Sequence, residues 1–182
     1  MNVGIPMRAA VIVVAIVAGS AGCTRQQGDG AERAKANSAE VAKGEGAVAA
    51  KADSAEAAKE ERNKELVVAF YNAAINDKDF EAASAYLGNK YTQHNPLAAD
   101  GPEGLKAFLE FAKESLPDFK AEIKQVFADG DYVILHVHAT RGPDDRGSAV
   151  MDIFRLEGDK VVEHWDVIQP IPETSANDNT MF

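Results

Sequence analysis

The chain has 182 residues, enough for one domain and something besides. Its 29 acidic and 19 basic residues give a formal net charge of −10, which argues against a nucleic-acid partner because phosphate binding needs a basic patch. Hydrophobic residues make up 46% of the chain, but much of that is alanine, and its uneven placement divides the chain into parts.

The first part is a targeting segment. Met1 to Arg8 carries one positive charge, Ala9 to Ala18 is a nearly unbroken apolar run, and Gly19-Ser20-Ala21-Gly22-Cys23 follows. This order predicts a secretory signal over residues 1–22. The run is shorter than the roughly 20 residues a spanning helix needs. Cys23 is the only cysteine and stands directly after Ala21-Gly22, so the site resembles a bacterial lipobox, with Ser20 where Leu is usual. The resemblance implies that Cys23 is lipidated and becomes the new N-terminus, which holds the protein in the bacterial cell envelope. Thr24 rather than Asp after the cysteine implies the periplasm-facing outer membrane. One acyl chain binds membranes only marginally, so stable anchoring would use several.

Residues 23–61 are rich in Ala, Lys, Glu, Gly and Ser and hold no aromatic side chain. They cannot bury enough apolar surface to offset chain entropy, so a tether is expected, with local helix favoured by the Ala-Glu-Lys patterns.

A folded domain is expected over residues 62–173. Leu66, Val67, Phe70, Tyr71, Ala74 and Ile75 recur at helical spacing, which predicts a helix from about Arg62 to Asn76. A short helix follows over Phe80–Leu87, then an extended Tyr91-Thr-Gln-His94-Asn95-Pro96, in which Pro96 keeps Asn95 out of helical geometry. Pro102 suits the first turn of a third helix with Leu105, Phe108, Leu109 and Ala112 as its buried stripe, ended by Pro117. Four strands come next: Lys120–Ala128, Tyr132–Thr140, Ser148–Leu156 and Lys160–Gln169, joined by Asp-Gly-Asp and Gly-Asp turns and one longer loop. Three helices and a strand meander predict an α+β domain with a curled antiparallel sheet packed on the helices. The polar tail, residues 174–182, is expected to be loose.

These residues carry a resemblance. The two helices, Tyr91-x-Gln-His-Asn-Pro96, Asp100-Gly-x-x-Gly104, the His136-x-His138 strand, Asp152-Ile-Phe-Arg155 and His164-Trp-Asp-Val-x-Gln169 are similar to the SnoaL-like group of the nuclear transport factor 2-like superfamily. The likeness covers about Asn63 to Pro172. It implies a cone-shaped α+β barrel, a homodimer formed through the sheet, and an acid–base pocket of the kind described for aldol condensation. The superfamily also holds isomerases, dehydratases and non-catalytic binding domains, so the resemblance does not select a reaction.

Strand parity sharpens the site, because alternate residues share a face. Tyr132, Ile134, His136 and His138 share one face of their strand. Val150, Asp152 and Phe154 share one face of the next, and Val162, His164, Asp166 and Ile168 one face of the last. A pocket could therefore collect Asp152, Asp166, His164, and His136 or His138, with His94, Asn95 and Tyr91 joining from the preceding segment and Trp165 nearby. An acid on a core-facing strand is costly unless it is paired or used. The candidate catalytic set is Asp166, Asp152, His94, His138 and His164, with one aspartate as general base and a histidine as acid or oxyanion donor. His136 and His138 could instead face a dimer interface, and Asp152 could simply pair with Arg155 or Arg146. His-x-His with His94, His164 and a carboxylate would suit zinc. No phosphate loop, cysteine pair or nucleophile elbow is present, so the expected site is free of cofactor and metal. Two functions stay open: proton transfer at a carbon next to a carbonyl, as in aldol cyclisation or isomerisation, and non-catalytic binding of a small ligand or docking to an envelope protein.

Overall fold

The computed structural model describes residues 51–182. The signal segment, Cys23 and most of the expected tether lie outside these residues. Among the described residues no helix is long and apolar enough to cross a membrane.

Helix α1 is described over residues 51–71 and runs into a π-helical turn, Asn72–Asn76. In that wider turn the Asp77 N–H reaches Asn72 O at 2.9 Å, five residues back. Helix α2 is Phe80–Ser84, started by Asp79, whose carboxylate accepts from the Ala82 N–H at 3.1 Å. Strand β1 is Leu87–Gln93 and helix α3 is Gly101–Ser115, with Pro102 in its first turn. Strands β2 (Lys120–Asp129), β3 (Tyr132–Thr140), β4 (Ser148–Glu157) and β5 (Lys160–Pro170) complete the order. β2–β3 and β4–β5 are joined by two-residue turns whose first residues, Gly130 and Gly158, have φ of +58° and +63°. Only glycine takes that conformation without strain.

The domain is α+β, as expected, but its sheet is mixed. The strand order is β1-β5-β4-β3-β2, with β1 parallel to β5 and the remaining pairs antiparallel. The sheet stays open, with β1 and β2 at its edges. The expected four-strand antiparallel meander lacked β1, because Leu-Gly-Asn-Lys carries no alternation. Its strand state comes from a partner 70 or more residues away, as in Val161 N–H to Tyr86 O and His94 N–H to His164 O, both 2.9 Å. The free edge of β2 is partly closed by one side chain. Asn76 donates to Ala121 O at 3.0 Å and accepts from Ala121 N–H at 2.9 Å, a blunted edge that resists pairing with another chain.

The core lies between α1, α3 and the inner face of the sheet. Val67, Phe70, Tyr71, Leu105, Leu109, Val133, Leu135, Val137, Phe154, Leu156 and Val161 are buried there. Phe108, expected in the buried stripe of α3, sits at its partly exposed edge. Phe70 and Tyr71 meet Phe154 edge-on, at centroid distances of 5.8 and 6.2 Å.

Helix α1 begins earlier than its apolar spacing indicates, and its upstream turns touch the sheet. Glu60 accepts from the Gly130 N–H at 2.9 Å, Asn63 donates to Gly130 O at 2.9 Å, and Lys59 pairs with Asp131 at 3.0 Å. These contacts clasp the β2–β3 turn. A chain starting at residue 62 loses Lys59 and Glu60 and should melt about 3–6 °C below one starting at residue 51, chiefly because the part-buried Glu60–Gly130 bond contributes about 1 kcal/mol. Equal melting curves would show that the clasp contributes nothing.

Residues after Pro170 form no helix or strand, but the end of the chain is in contact. The Phe182 ring lies 5.3 Å from His136 and 4.8 Å from His138.

Candidate active site

The register places Asp152 directly opposite Asp166, and Phe154 opposite His164. It also places Leu135, not His136, opposite Asp152. Residues paired across a sheet point to the same side, so Asp152, His164 and Asp166 share the inner, core-facing side with Leu135. His136 and His138 point to the outer side. The expected gathering of these two with the aspartates is therefore corrected by the β3–β4 register. His138 uses Nε2 on the Arg146 carbonyl at 2.8 Å, on the loop it borders.

The inner cluster is bonded throughout. Tyr71, from α1, donates its hydroxyl to Asp152 Oδ2 at 3.1 Å, and Asp152 Oδ1 faces His164 Nε2 at 3.0 Å. His164 Nδ1 faces Gln93 Oε1 at 2.8 Å. That same Oε1 accepts from the Asn95 N–H at 3.0 Å, so it is the acceptor and His164 Nδ1 carries a hydrogen. The Nε2–Asp152 contact then needs a proton of its own, since two lone pairs cannot face each other at 3.0 Å. One proton is shared on that line, as imidazolium with carboxylate or imidazole with carboxylic acid.

Asp166 is bonded differently. Its Oδ2 accepts from Asn95 Nδ2 at 2.7 Å. The Asn95 amide is oriented because its Oδ1 accepts from the Leu97 N–H at 2.8 Å. Asp152 has both oxygens engaged by side chains; Asp166 has one. Asp152 and His164 are buried, and Asp166 is half-buried. Tyr91 is buried beside them. Burial pushes its hydroxyl above its ordinary value, as do the carboxylates of Asp152 and Asp166, against an opposing hydrogen bond with Gln93. Burial, followed by Asp152 and then Asp166, likewise raises Tyr71. Both phenols therefore stay protonated donors at neutral pH. Among the described hydrogen bonds of the cluster, none comes from Lys or Arg.

His94 and Trp165, expected at the pocket, are on the outer side. Their rings stack at 4.5 Å with 4° between planes. His94 Nε2 bonds Glu163 Oε1 at 2.8 Å, and Glu163 Oε2 accepts from Arg155 Nε at 2.7 Å. Arg155 is thus held by Glu163 and Glu157, not by Asp152, and Arg146 pairs with Glu173. These contacts from His94 and then Arg155 hold the Glu163 carboxyl below its ordinary 4.5. A carboxyl depressed in the folded state adds stability above about that pH and loses it as pH falls through the lower folded value. Glu163→Gln should therefore destabilise at pH 7, by about 1 kcal/mol or less for so exposed an array. In melts run from pH 7 to 3 the difference should close on the acid side; a constant difference would contradict the ion-pair account.

Gln93, Tyr71 and Glu163 were missed as site residues. The sequence offers the Tyr71 hydroxyl to a site, but its helical spacing favours core packing, which keeps it out of the candidate set. Gln93 and Glu163 gave none before the β1–β5 pairing was known.

Asp152, His164 and Asp166 each offer one ligand atom, all within 4.8 Å of one another. One nitrogen and two oxygens suit a first-row divalent ion. An ion there would have to displace the proton already shared by His164 and Asp152. The four histidines considered for zinc are not gathered: His164 is inside, and His94, His136 and His138 are outside.

The family model for the SnoaL-like domain matches residues 67–164, more than half of the chain. The chain belongs to the SnoaL-like family. No curated protein matches it. Solved structures do. A cystatin-fold protein of uncharacterised function from Novosphingobium aromaticivorans is 28% identical at a TM-score of 0.51, over 58% of this chain and 97% of that one. A candidate polyketide cyclase from Bacillus cereus is 20% identical at a TM-score of 0.52, over 59% of this chain and 74% of that one. AclR from Streptomyces galilaeus, a candidate hydroxylase, is 22% identical at 0.51, over 62% and 82%. The last two share the SnoaL-like fold with this chain, and at such identity the likeness extends to fold alone.

Proposed function

We propose that the inner cluster of this SnoaL-like domain is an acid–base site that moves a proton at a carbon next to a carbonyl, without a cofactor. The observation that carries the reading is the unequal bonding of the two aspartates. Like charges directly opposite on a sheet are destabilising, so two facing carboxylates call for a use or a compensating proton. Here Asp152 shares a proton with His164, and Asp166 keeps an oxygen free of side-chain bonds. Two acid groups held in different environments are the usual arrangement for dividing the roles of acid and base.

Asp166 is then the base. Its carboxylate takes the proton from the carbon, and the electron pair of that C–H bond moves to the carbonyl oxygen as an enolate. Tyr91, kept protonated by burial beside the carboxylates, supplies a donor for that oxygen. The Asp152–His164 pair holds a second proton in reserve. Asn95 orients Asp166, and Gln93 keeps a hydrogen on Nδ1 of His164. His94, His136 and His138 take no part as acids. The aldol-type cyclisation or isomerisation that follows proton removal depends on the substrate. With neither Lys nor Arg bonded to the cluster among the described residues, and two aspartates in it, a neutral carbonyl compound fits better than an anion.

The test is hydrogen–deuterium exchange. The full chain is incubated in D₂O with a panel of neutral β-keto esters and aryl ketones, and loss of the α-proton signal is followed by NMR. Catalysed exchange that Asp166→Asn abolishes supports the reading. Ligands that bind with no exchange above background overturn it in favour of a binding domain.

We also propose, from the sequence, that the chain is an exported lipoprotein anchored through Cys23 to the outer membrane, and that the domain pairs with a second copy. For the anchor the support is the apolar run ending in Ala21-Gly22-Cys23. For the dimer it is the resemblance, together with Tyr132, Met151 and Val167 exposed on the outer side of the sheet. Cys23→Ser should leave the membrane fraction and lose its acylated N-terminal peptide in mass spectrometry. A single-copy mass in light scattering at micromolar concentration would rule the dimer out.

A further inference from the structure

The end of β1 and the residues just after it alternate between the two sides of the sheet. Gln93 and Asn95 point inward, to His164 and Asp166, while His94 between them points outward. The alternation is that of an extended strand. The His94 backbone N–H makes the last ladder bond of this pairing, to His164 O at 2.9 Å. Beyond it the chain turns: Leu97 and Ala98 bond back to Asn95, and Asp100 accepts from the Gln93 N–H at 2.7 Å. The inner amides are thus carried by a short turn whose grip on β5 ends at His94.

What His94 holds is built from the neighbours of the inner residues. Glu163 precedes His164, and Trp165 lies between His164 and Asp166. The His94 ring is stacked on Trp165 and bonded to Glu163. Glu163 in turn is fixed by Arg155 of β4, which Glu157 also holds. Tyr132 of β3 lies 6.3 Å from Trp165 at the side of the stack. These are the charged and aromatic groups facing His94 from the packed elements: one carboxylate in direct contact, one guanidinium behind it, and two rings.

We propose that His94 is a positioning residue for the inner site: clamped to Glu163 and Trp165 on the outer side of the sheet, it holds the Asn95 amide on Asp166 and the Gln93 amide on His164. The proposal rests on the acid–base reading of that cluster. It gives the conspicuous His-Asn pair a division of labour, with His94 gripping β5 from outside and Asn95 delivering the hydrogen bond inside. It also ties the inner site to the outer face, so that whatever breaks the His94–Glu163 bond is felt at Asp166.

The test uses the full chain and two readouts that need no substrate. Trp165 is the only tryptophan, so its emission reports the stack with His94 directly. The side-chain NH₂ resonances of Asn95, assigned by their loss in Asn95→Ala, report the bond to Asp166. In His94→Ala, Trp165 emission should change, and the Asn95 amide protons should move toward free-amide positions and exchange with water about tenfold faster or more, the ratio for a bond weakened by about 1.4 kcal/mol. His94→Gln, whose amide can still donate to Glu163, should restore the Asn95 resonances at least in part. If any exchange substrate is found, His94→Ala should lower kcat with KM little changed, as expected when an interaction specific to the transition state is lost. Unchanged Asn95 resonances and exchange in His94→Ala would overturn the proposal. So would a Gln variant no better than Ala. Should His94→Ala fail to fold, Glu163→Ala removes the same bond and is read by the same resonances. Absence of catalysis in the wild type would sink the acid–base reading while leaving the NMR result decisive for His94.

Discussion

An Asp166→Asn chain should exchange the α-proton of its carbonyl substrate about 10²–10⁴-fold more slowly than the wild type, the usual contribution of a general base. Its melting temperature should stay within a few degrees. Asp166 is half-buried and accepts a single side-chain hydrogen bond, from Asn95. The amide of asparagine can turn its oxygen to that donor, so the fold loses little. The large effect on rate and small effect on stability separate a working carboxylate from a structural one. A variant that unfolds, or one that keeps its exchange rate, would place the base elsewhere.

Asp152 should behave in the opposite way. Its side chain is buried and holds Tyr71 on one oxygen and His164 on the other. Asp152→Ala leaves a buried hydroxyl and a buried ring nitrogen without partners. Breaking a buried pair by removing one member costs about 3–5 kcal/mol, which in a domain of this size lowers the melting temperature by about 10 °C or more. Asp152→Asn keeps a donor for one partner and an acceptor for the other and should cost about 1 kcal/mol. Thermal melts of the two variants decide the matter. Equal, small losses would show that Tyr71 and His164 find other partners, and the picture of a single bonded cluster would fail. Phe154 makes the same region dear to disturb, since its ring stacks on His164 at 4.7 Å and meets both Phe70 and Tyr71.

The two aspartates could be singled out from sequence because each interrupts an apolar strand on its core-facing side. Alternation within β4 and β5 was enough to put Asp152 with Phe154, and His164 with Asp166, before any partner strand was known. The same reasoning failed for His136 and His138. Alternation states which residues of one strand share a face, but not which face of the next strand they join. A shift of one residue exchanges the two answers, and the observed register sets Leu135 beside Asp152. His94 and Asn95 formed a polar pair that sequence could mark but not sort. Only the pairing of β1 with β5 turned one outward to Glu163 and the other inward to Asp166.

What the sequence determined by itself was whatever depends on neighbours in the chain. The helical stripe of α1, the four strands from Lys120 onward, the glycine turns at Gly130 and Gly158, and the SnoaL-like pattern follow from spacing, turn chemistry and local propensity. The tertiary structure alone decided what depends on distant partners. β1 is a strand because β5 lies parallel to it, the early turns of α1 matter because they clasp the β2–β3 turn, and His164 carries a hydrogen on Nδ1 because Gln93 reaches it from 71 residues away. A single hydrogen bond stabilises too little to be read from composition. Its place is set by register and packing, which one strand's sequence does not contain.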